Sequence, residues 1–309
     1  MTSEMDSKAA YLVLYESGEL GLRKECLLSL LEECTLCPRE CRVNRLRGEL
    51  GFCRTGRMAS VASYGPHFGE EFPLVGRHGS GTVFFNGCNL GCIFCQNYDI
   101  SHQGRGEEVD PGTLSSIFLE IKRMGCNNLN LVTPTHVIPQ VIEALELAAG
   151  RGFNLPLVYN CGGYDSKEVL KILDGIIDIY MPDMKFMDDR IALELTGAQF
   201  YGKHVRESVI EMHRQAGDLV TTIDGIARKG LIVRHLLLPD GISGTKEVVE
   251  FLANEISIHT YLNIMGQYHP CYRAREYPGL ERRIHEGELV IAVDLAKRRG
   301  FTRLDGPPC

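Results

Sequence analysis

Seven of the twelve cysteines in this 309-residue chain fall into two groups. The tighter group is Cys88-Asn89-Leu90-Gly91-Cys92-Ile93-Phe94-Cys95. Cysteine thiolates ligate iron–sulfur clusters. Three of them at this spacing can hold three irons of a cubane and leave the fourth iron open, and an open metal position is what a catalytic site needs. The plainer readings are a zinc loop with a distant fourth ligand, or three buried thiols. Buried free thiols are common singly, but not three together in a glycine-containing loop that follows an apolar run. The second group, Cys34-x2-Cys37-x3-Cys41-x11-Cys53, offers four thiolates and so closes a coordination sphere, as in a structural or electron-transfer site. Zinc and a second [4Fe–4S] cluster both accept four cysteines, and the spacing leaves that choice open. Cys26, Cys126, Cys161, Cys271 and Cys309 are scattered. In a reducing compartment, clustered cysteines read as metal ligands sooner than as disulfides.

These groups need a frame. From Thr82 onward, short apolar runs alternate with helix-like segments. The runs are 82–85, 128–133, 155–159, 176–181, 231–238 and 261–265. Their continuous apolar character suits parallel strands buried on both faces. Helices are predicted from Asp110-Pro111, from Asp165 with Glu168 three residues on, and over 137–149, 205–216 and 245–254. Six βα units predict an α/β fold, a partial (β/α)6 TIM-type barrel. A doubly wound sheet competes, but no G-x-G-x-x-G follows the first run. Residues 1–33 read as helical, and the glycine-rich stretch 54–81 reads as loop with short strands. The expected division is a cysteine-rich N-terminal extension, 1–81, and a barrel domain, 82–309. The three-cysteine loop follows the first strand, where barrel enzymes place their chemistry.

Composition narrows the partners. Hydrophobic residues at 44% and charged residues at 24% exclude collagen-like, coiled-coil and largely disordered chains. A net charge of -7 gives no broad electrostatic reason to bind nucleic acid, although Arg39, Arg42, Arg45, Arg47, Arg54 and Arg57 cluster locally. No apolar run is long enough to span a membrane, and Met1–Ala10 lacks a signal core, so a cytoplasmic location is expected.

Cys88-x3-Cys92-x-Phe94-Cys95 resembles the signature of radical S-adenosylmethionine (radical SAM) enzymes. Gln96-Asn97 resembles the pyruvate formate-lyase activating enzymes. So do Asn130-Leu131-Val132-Thr133-Pro134-Thr135-His136, Tyr159-Asn160-Cys161-Gly162-Gly163-Tyr164, Asp178 to Lys185, Arg234-His235-Leu236 and Asn263 to Tyr268. The resemblance spans nearly the whole chain. It implies a [4Fe–4S] cluster on Cys88, Cys92 and Cys95, with S-adenosylmethionine chelating the open iron. It also implies reductive cleavage to a 5′-deoxyadenosyl radical that abstracts hydrogen, an electron donor such as flavodoxin or ferredoxin, and a glycyl radical enzyme as protein substrate. Small molecules, peptides or RNA are alternative targets. An iron–sulfur electron carrier is the non-enzyme alternative; it predicts filled coordination at both sites.

By the same resemblance Phe94, Asn97, Thr133, Asn160, Asp183, Lys185, Arg234 and His269 surround the cofactor. Met181, Asp183 and Lys185 alternate along a strand end, so period two puts them on one face. Arg234 and His235 point to opposite faces, and one of them faces the pocket. Where many relatives carry a glycine-rich motif, this chain has Thr133-Pro134-Thr135-His136.

Overall fold

The computed structural model describes residues 9–305. The start of the first predicted helix, Cys309 and both outer ends of the expected domains lie outside them. The strands are β1 (Ala59–His67), β2 (Ser80–Phe85), β3 (Glu107–Val109), β4 (Leu129–Val132), β5 (Leu157–Cys161), β6 (Ile179–Pro182), β7 (Val220–Thr221), β8 (Ala227–Leu236), β9 (Tyr261–Met265) and β10 (Leu304–Asp305). They form one sheet in the order β10-β9-β8-β6-β5-β4-β2-β1-β3, with β7 paired to β8. From β2 to β10 the neighbours along this path are parallel and follow chain order; β1 and β3 add an antiparallel edge. A doubly wound sheet reverses its parallel strand order at a switch point, and the parallel strands here never do. Right-handed crossovers therefore put the connecting helices on one face. The edge strands β3 and β10 do not pair with each other. The result is the partial barrel that the six apolar runs predict.

The helices are α1 (Tyr11–Ser17), α2 (Glu19–Ser29), α3 (Phe72–Val75), α4 (Tyr98–Ser101), α5 (Pro111–Arg123), α6 (Ile138–Gly150), α7 (Lys167–Ile172), α8 (Asp189–Thr196), α9 (Tyr201–Ala216), α10 (Thr245–Phe251) and α11 (Glu286–Arg298). Asp110 caps α5 as expected, accepting the Thr113 N–H at 2.7 Å, with Pro111 at the first helical position. Asp165 does not cap α7; Ser166 holds that position. The Asp165 carboxylate turns inward and accepts from the Thr135 and Tyr159 hydroxyls at 2.7 and 2.8 Å. The helix expected over the N-terminal 33 residues is two, broken at Gly18, whose φ of 81° suits glycine. Lys24 on α2 pairs with Glu146 on α6 at 2.8 Å, tying this pair of helices to the outer layer.

The stretch read as loop with short strands holds the long strand β1, paired along β2. Residues 59–67, placed in the N-terminal extension, thus belong to the sheet. Past β1 the chain enters the barrel floor. Leu74 packs with Val158, Ile179, Met181, Leu219, Ala227 and Ile232 as an interior cluster. The Asn128 and Asn127 side chains donate to the Leu74 and Val75 carbonyls at 2.9 and 2.7 Å, and the Val75 carbonyl also accepts from the Gly79 N–H at 2.8 Å. The larger apolar core fills the layer between sheet and helices. Among the described residues, no helix is long and apolar enough to cross a membrane.

Candidate active site

The three-cysteine loop leaves the C-terminal end of β2 and is held from several sides. The Gly91 and Ile93 N–H groups donate to the Thr196 and Leu195 carbonyls at the end of α8, at 2.8 and 2.9 Å. The Asn89 side chain donates to the Tyr164 carbonyl at 2.6 Å. Backbone crowding dictates the glycine that precedes the loop. Gly87 has φ +82°, and a β-carbon there would lie 2.5 Å from the Cys53 carbonyl oxygen.

Cys88, Cys92 and Cys95 line a cavity of 320 Å³ together with Asn97, Thr133, Asn160, Asp183, Lys185 and Arg234. Nine predicted residues from five strand ends therefore share one space. Phe94 does not line it. Its ring is buried above, edge-on to Phe186 and Tyr268 at 5.9 and 6.5 Å. His269 also lies off the cavity, near the Gln96 side chain at 3.4 Å. Burial pushes the Cys88 and Cys92 thiols up to about 12. Metal ligation requires thiolates, so cluster assembly at this loop must displace protons.

A charge network forms the opposite wall. Asp183 accepts from Lys185 Nζ at 2.5 Å through one oxygen and from Arg234 Nε at 2.7 Å through the other. Burial works against the Asp183 carboxylate, but Arg234 and then Lys185 outweigh it and hold its carboxyl below the usual range. Burial likewise opposes the Lys185 charge, and Asp183 followed by Cys92 outweighs that, so the ammonium stays charged beside the thiols. Arg234 also donates to Asn160 Oδ1 at 2.6 Å. Its neighbour His235 turns to the other face, meeting the Met184 carbonyl at 2.6 Å and the Thr245 hydroxyl at 3.0 Å. Met181 and Asp183 share the inner face, as period two requires.

Two acids were not legible in the sequence. Glu70 and Glu71 rise from the floor segment to within 3.7 and 3.8 Å of the Arg234 guanidinium. Burial, opposed by Arg234 and reinforced by Glu71, pushes the Glu70 carboxyl up to about 7. Glu71 is fixed by the Asn263 side chain at 3.0 Å. Only local context was available to flag these acids, and a glycine-rich stretch gives no period to aim them. Thr133 adds strain. Its φ is +60°, and a β-branched residue is a clear outlier there.

The four-cysteine group lies directly behind this loop. Cys34, Cys37, Cys41 and Cys53 line one small cavity with Arg45, Phe52, Asn89 and His136. Burial pushes the Cys37 thiol up to about 12, with Cys53, Cys34 and Cys41 adding to the effect. Arg39 stitches the two groups together. It donates to the Asn89 carbonyl at 2.5 Å and to the Gly197 carbonyl at 2.9 Å, and its guanidinium stacks 3.4 Å over the Phe52 ring.

Residues 82–252 match the family model of the Radical SAM superfamily. An uncharacterised protein of Methanocaldococcus jannaschii is 29% identical over 90% of this chain and 78% of its own length. The pyruvate formate-lyase-activating enzyme of Clostridium pasteurianum is 29% identical over 65% of this chain and 76% of its own length. Among solved structures, a domain of a pyruvate-formate lyase-activating enzyme from Bacteroides vulgatus matches at 14% identity and a TM-score of 0.36, covering 63% of this chain and 91% of that one.

Proposed function

The chain belongs to the radical SAM superfamily, and from that premise we propose that it binds S-adenosylmethionine at the three-cysteine loop and cleaves it reductively to abstract a hydrogen atom from a partner. One observation carries the reading. The three thiols and the Asp183–Lys185–Arg234 network face each other across one cavity at the strand C-termini.

The donor set fits a [4Fe–4S] cluster. Three clustered thiols supply three iron ligands, and the remaining cavity wall is polar and charged, not a fourth thiolate. Cys161, the other cysteine on the cavity, is engaged by the buried Asp165. When bound, the cluster supplies the electron that splits the sulfur–carbon bond of S-adenosylmethionine into methionine and a 5′-deoxyadenosyl radical. Lys185, beside Cys92, offers its ammonium to the methionine carboxylate. Asp183 offers an acceptor to the methionine ammonium or to ribose hydroxyls. Arg234, held by Asn160, Glu70 and Glu71, fixes the Asp183 carboxylate so that it need not reorganise on binding. Phe94 orders the loop from above. The apolar cluster around Leu74 fills the barrel interior below the site and disfavours water there, which protects a reactive radical. The four cysteines behind the loop bind a second metal centre.

The relative from Clostridium pasteurianum, a pyruvate formate-lyase-activating enzyme, favours a protein target; the resemblance of the sequence motifs implies that this target is a glycine of a glycyl radical enzyme and that a flavodoxin or ferredoxin donates the electron. The test is 5′-deoxyadenosine formation by anaerobically reconstituted protein with S-adenosylmethionine and dithionite. Wild type should form it, and the Cys88→Ala/Cys92→Ala/Cys95→Ala variant should fall to the no-enzyme background. Equal yields from the two would refute the reading.

A further inference from the structure

We propose that Cys34, Cys37, Cys41 and Cys53 hold a second [4Fe–4S] cluster that relays electrons to the three-cysteine loop. This rests on the functional reading above and adds an identity and a task for the second centre.

The first observation is charge. Arg45 is 1% exposed. Its guanidinium donates to the Gly56 carbonyl at 2.8 Å and the His136 carbonyl at 2.8 Å, and lies 4.0 Å from Cys34 Sγ. Among the described residues it meets no carboxylate. A buried cation without a counter-charge is costly. Four thiolates around a metal centre carry the missing negative charge on the same cavity wall. His136 adds a second orphan there: its Nε2 meets the Asn86 carbonyl at 2.8 Å, and its buried Nδ1 has no partner.

The second observation is contact. The Cys53 carbonyl presses on Gly87, the residue before Cys88. The path between a ligand of one site and a ligand of the other thus crosses one van der Waals contact and one peptide unit of about 3.8 Å. Arg39 adds a second bridge, from the Phe52 ring beside Cys53 to the Asn89 carbonyl beside Cys88. A redox-inert zinc would make no use of this proximity.

The relay balances simply. A reduced flavin or iron–sulfur protein gives one electron to the outer cluster, taking it from the 2+ to the 1+ state. That electron passes to the inner cluster, which goes from 2+ to 1+ while the outer one returns to 2+. No bond or proton changes place.

The test uses the full chain, reconstituted anaerobically. The Cys88→Ala/Cys92→Ala/Cys95→Ala variant should retain about four irons and give an electron paramagnetic resonance signal on reduction with dithionite. One zinc, or no iron, would overturn the second cluster. Freeze-quench spectra then follow reduction of the inner cluster by reduced flavodoxin. Cys37→Ser should slow that reduction at least tenfold, and Arg45→Met, which leaves all four ligands in place, should lower the midpoint potential of the outer cluster. An unchanged reduction rate in Cys37→Ser with the outer signal gone would overturn the relay. These readouts do not involve S-adenosylmethionine. A chain with both signals but no 5′-deoxyadenosine fails the functional reading and leaves the relay standing.

Discussion

Arg234 and Arg45 are both buried guanidinium groups beside a cysteine cluster, yet their surroundings differ. Arg234 is ringed by Asp183, Glu70 and Glu71 and braced by Asn160. Among the described residues, Arg45 meets only carbonyl oxygens and a thiol. At the first site the protein supplies its own counter-charge and leaves donors and acceptors to meet an incoming zwitterion. At the second the proposed metal–thiolate centre would supply the counter-charge. The open site is pre-balanced for exchange of ligand, and the closed site is built to be completed once.

The largest effect should come from Asp183→Asn. Removing the carboxylate shared by Lys185 and Arg234 leaves two buried cations facing each other. Breaking a buried pair costs about 3–5 kcal/mol, so urea unfolding of the metal-free chain should show a loss of that order. Binding of S-adenosylmethionine to the reconstituted chain should weaken in parallel. If stability is unchanged, the balance ascribed to the Arg234 site is wrong.

Arg45→Met probes the other half of the contrast. If the four cysteines hold the proposed metal centre, loading it stabilises the wild-type chain partly by neutralising this cation. The variant should narrow the stability gap between metal-loaded and metal-free chain by about 1–3 kcal/mol, read as the difference in thermal midpoints. A widened gap would mean that Arg45 does not serve the metal centre.

Glu70 gives the first site a pH dependence. Its folded-state carboxyl is pushed up to about 7, above the ordinary value of 4.5, because burial disfavours the charge. The resulting stability is fully present below about pH 4.5 and is lost as pH rises through about 7. Metal-free wild type should therefore lose on the order of 1–3 kcal/mol relative to Glu70→Gln between pH 5 and 8. Parallel pH profiles for the two chains would remove the acid from the balance around Arg234.

The smallest effect concerns backbone strain, which the first site also carries. Thr133→Gly relieves a left-handed φ at a cavity wall. The gain is about 1 kcal/mol, visible as a raised melting temperature. A fall would mean that the threonine side chain contributes more than the strain costs.

The six βα units were legible because buried parallel strands read as continuous apolar runs between capped helices, and 261–265 matches β9 in full. β1 was not. Its sequence ASVASYGPH is small, polar and broken by Gly65 and Pro66, so only its pairing with β2 makes it a strand. Asp165 misled for a related reason. Its place ahead of a helix suggested a cap, but the nearby Tyr159 and Thr135 hydroxyls draw the carboxylate into the core. In the candidate site, Asp183 and Lys185 followed from strand alternation. Glu70 and Glu71 did not, because their placement depends on a loop folding back into the barrel.

That returning loop has a kinetic consequence. Leu74 is buried among Val158, Ile179, Met181, Leu219, Ala227 and Ile232 inside the barrel, so the proposed cofactor would enter and leave by the mouth at the strand C-termini. Whatever enters deepest leaves last. On the proposed reading, a nucleoside cofactor seated against the cysteine loop would arrive before any bulky partner covers the mouth, and its fragments would wait for that partner to depart. The order of arrival and release is thus written into the floor of the barrel, far from the atoms that react.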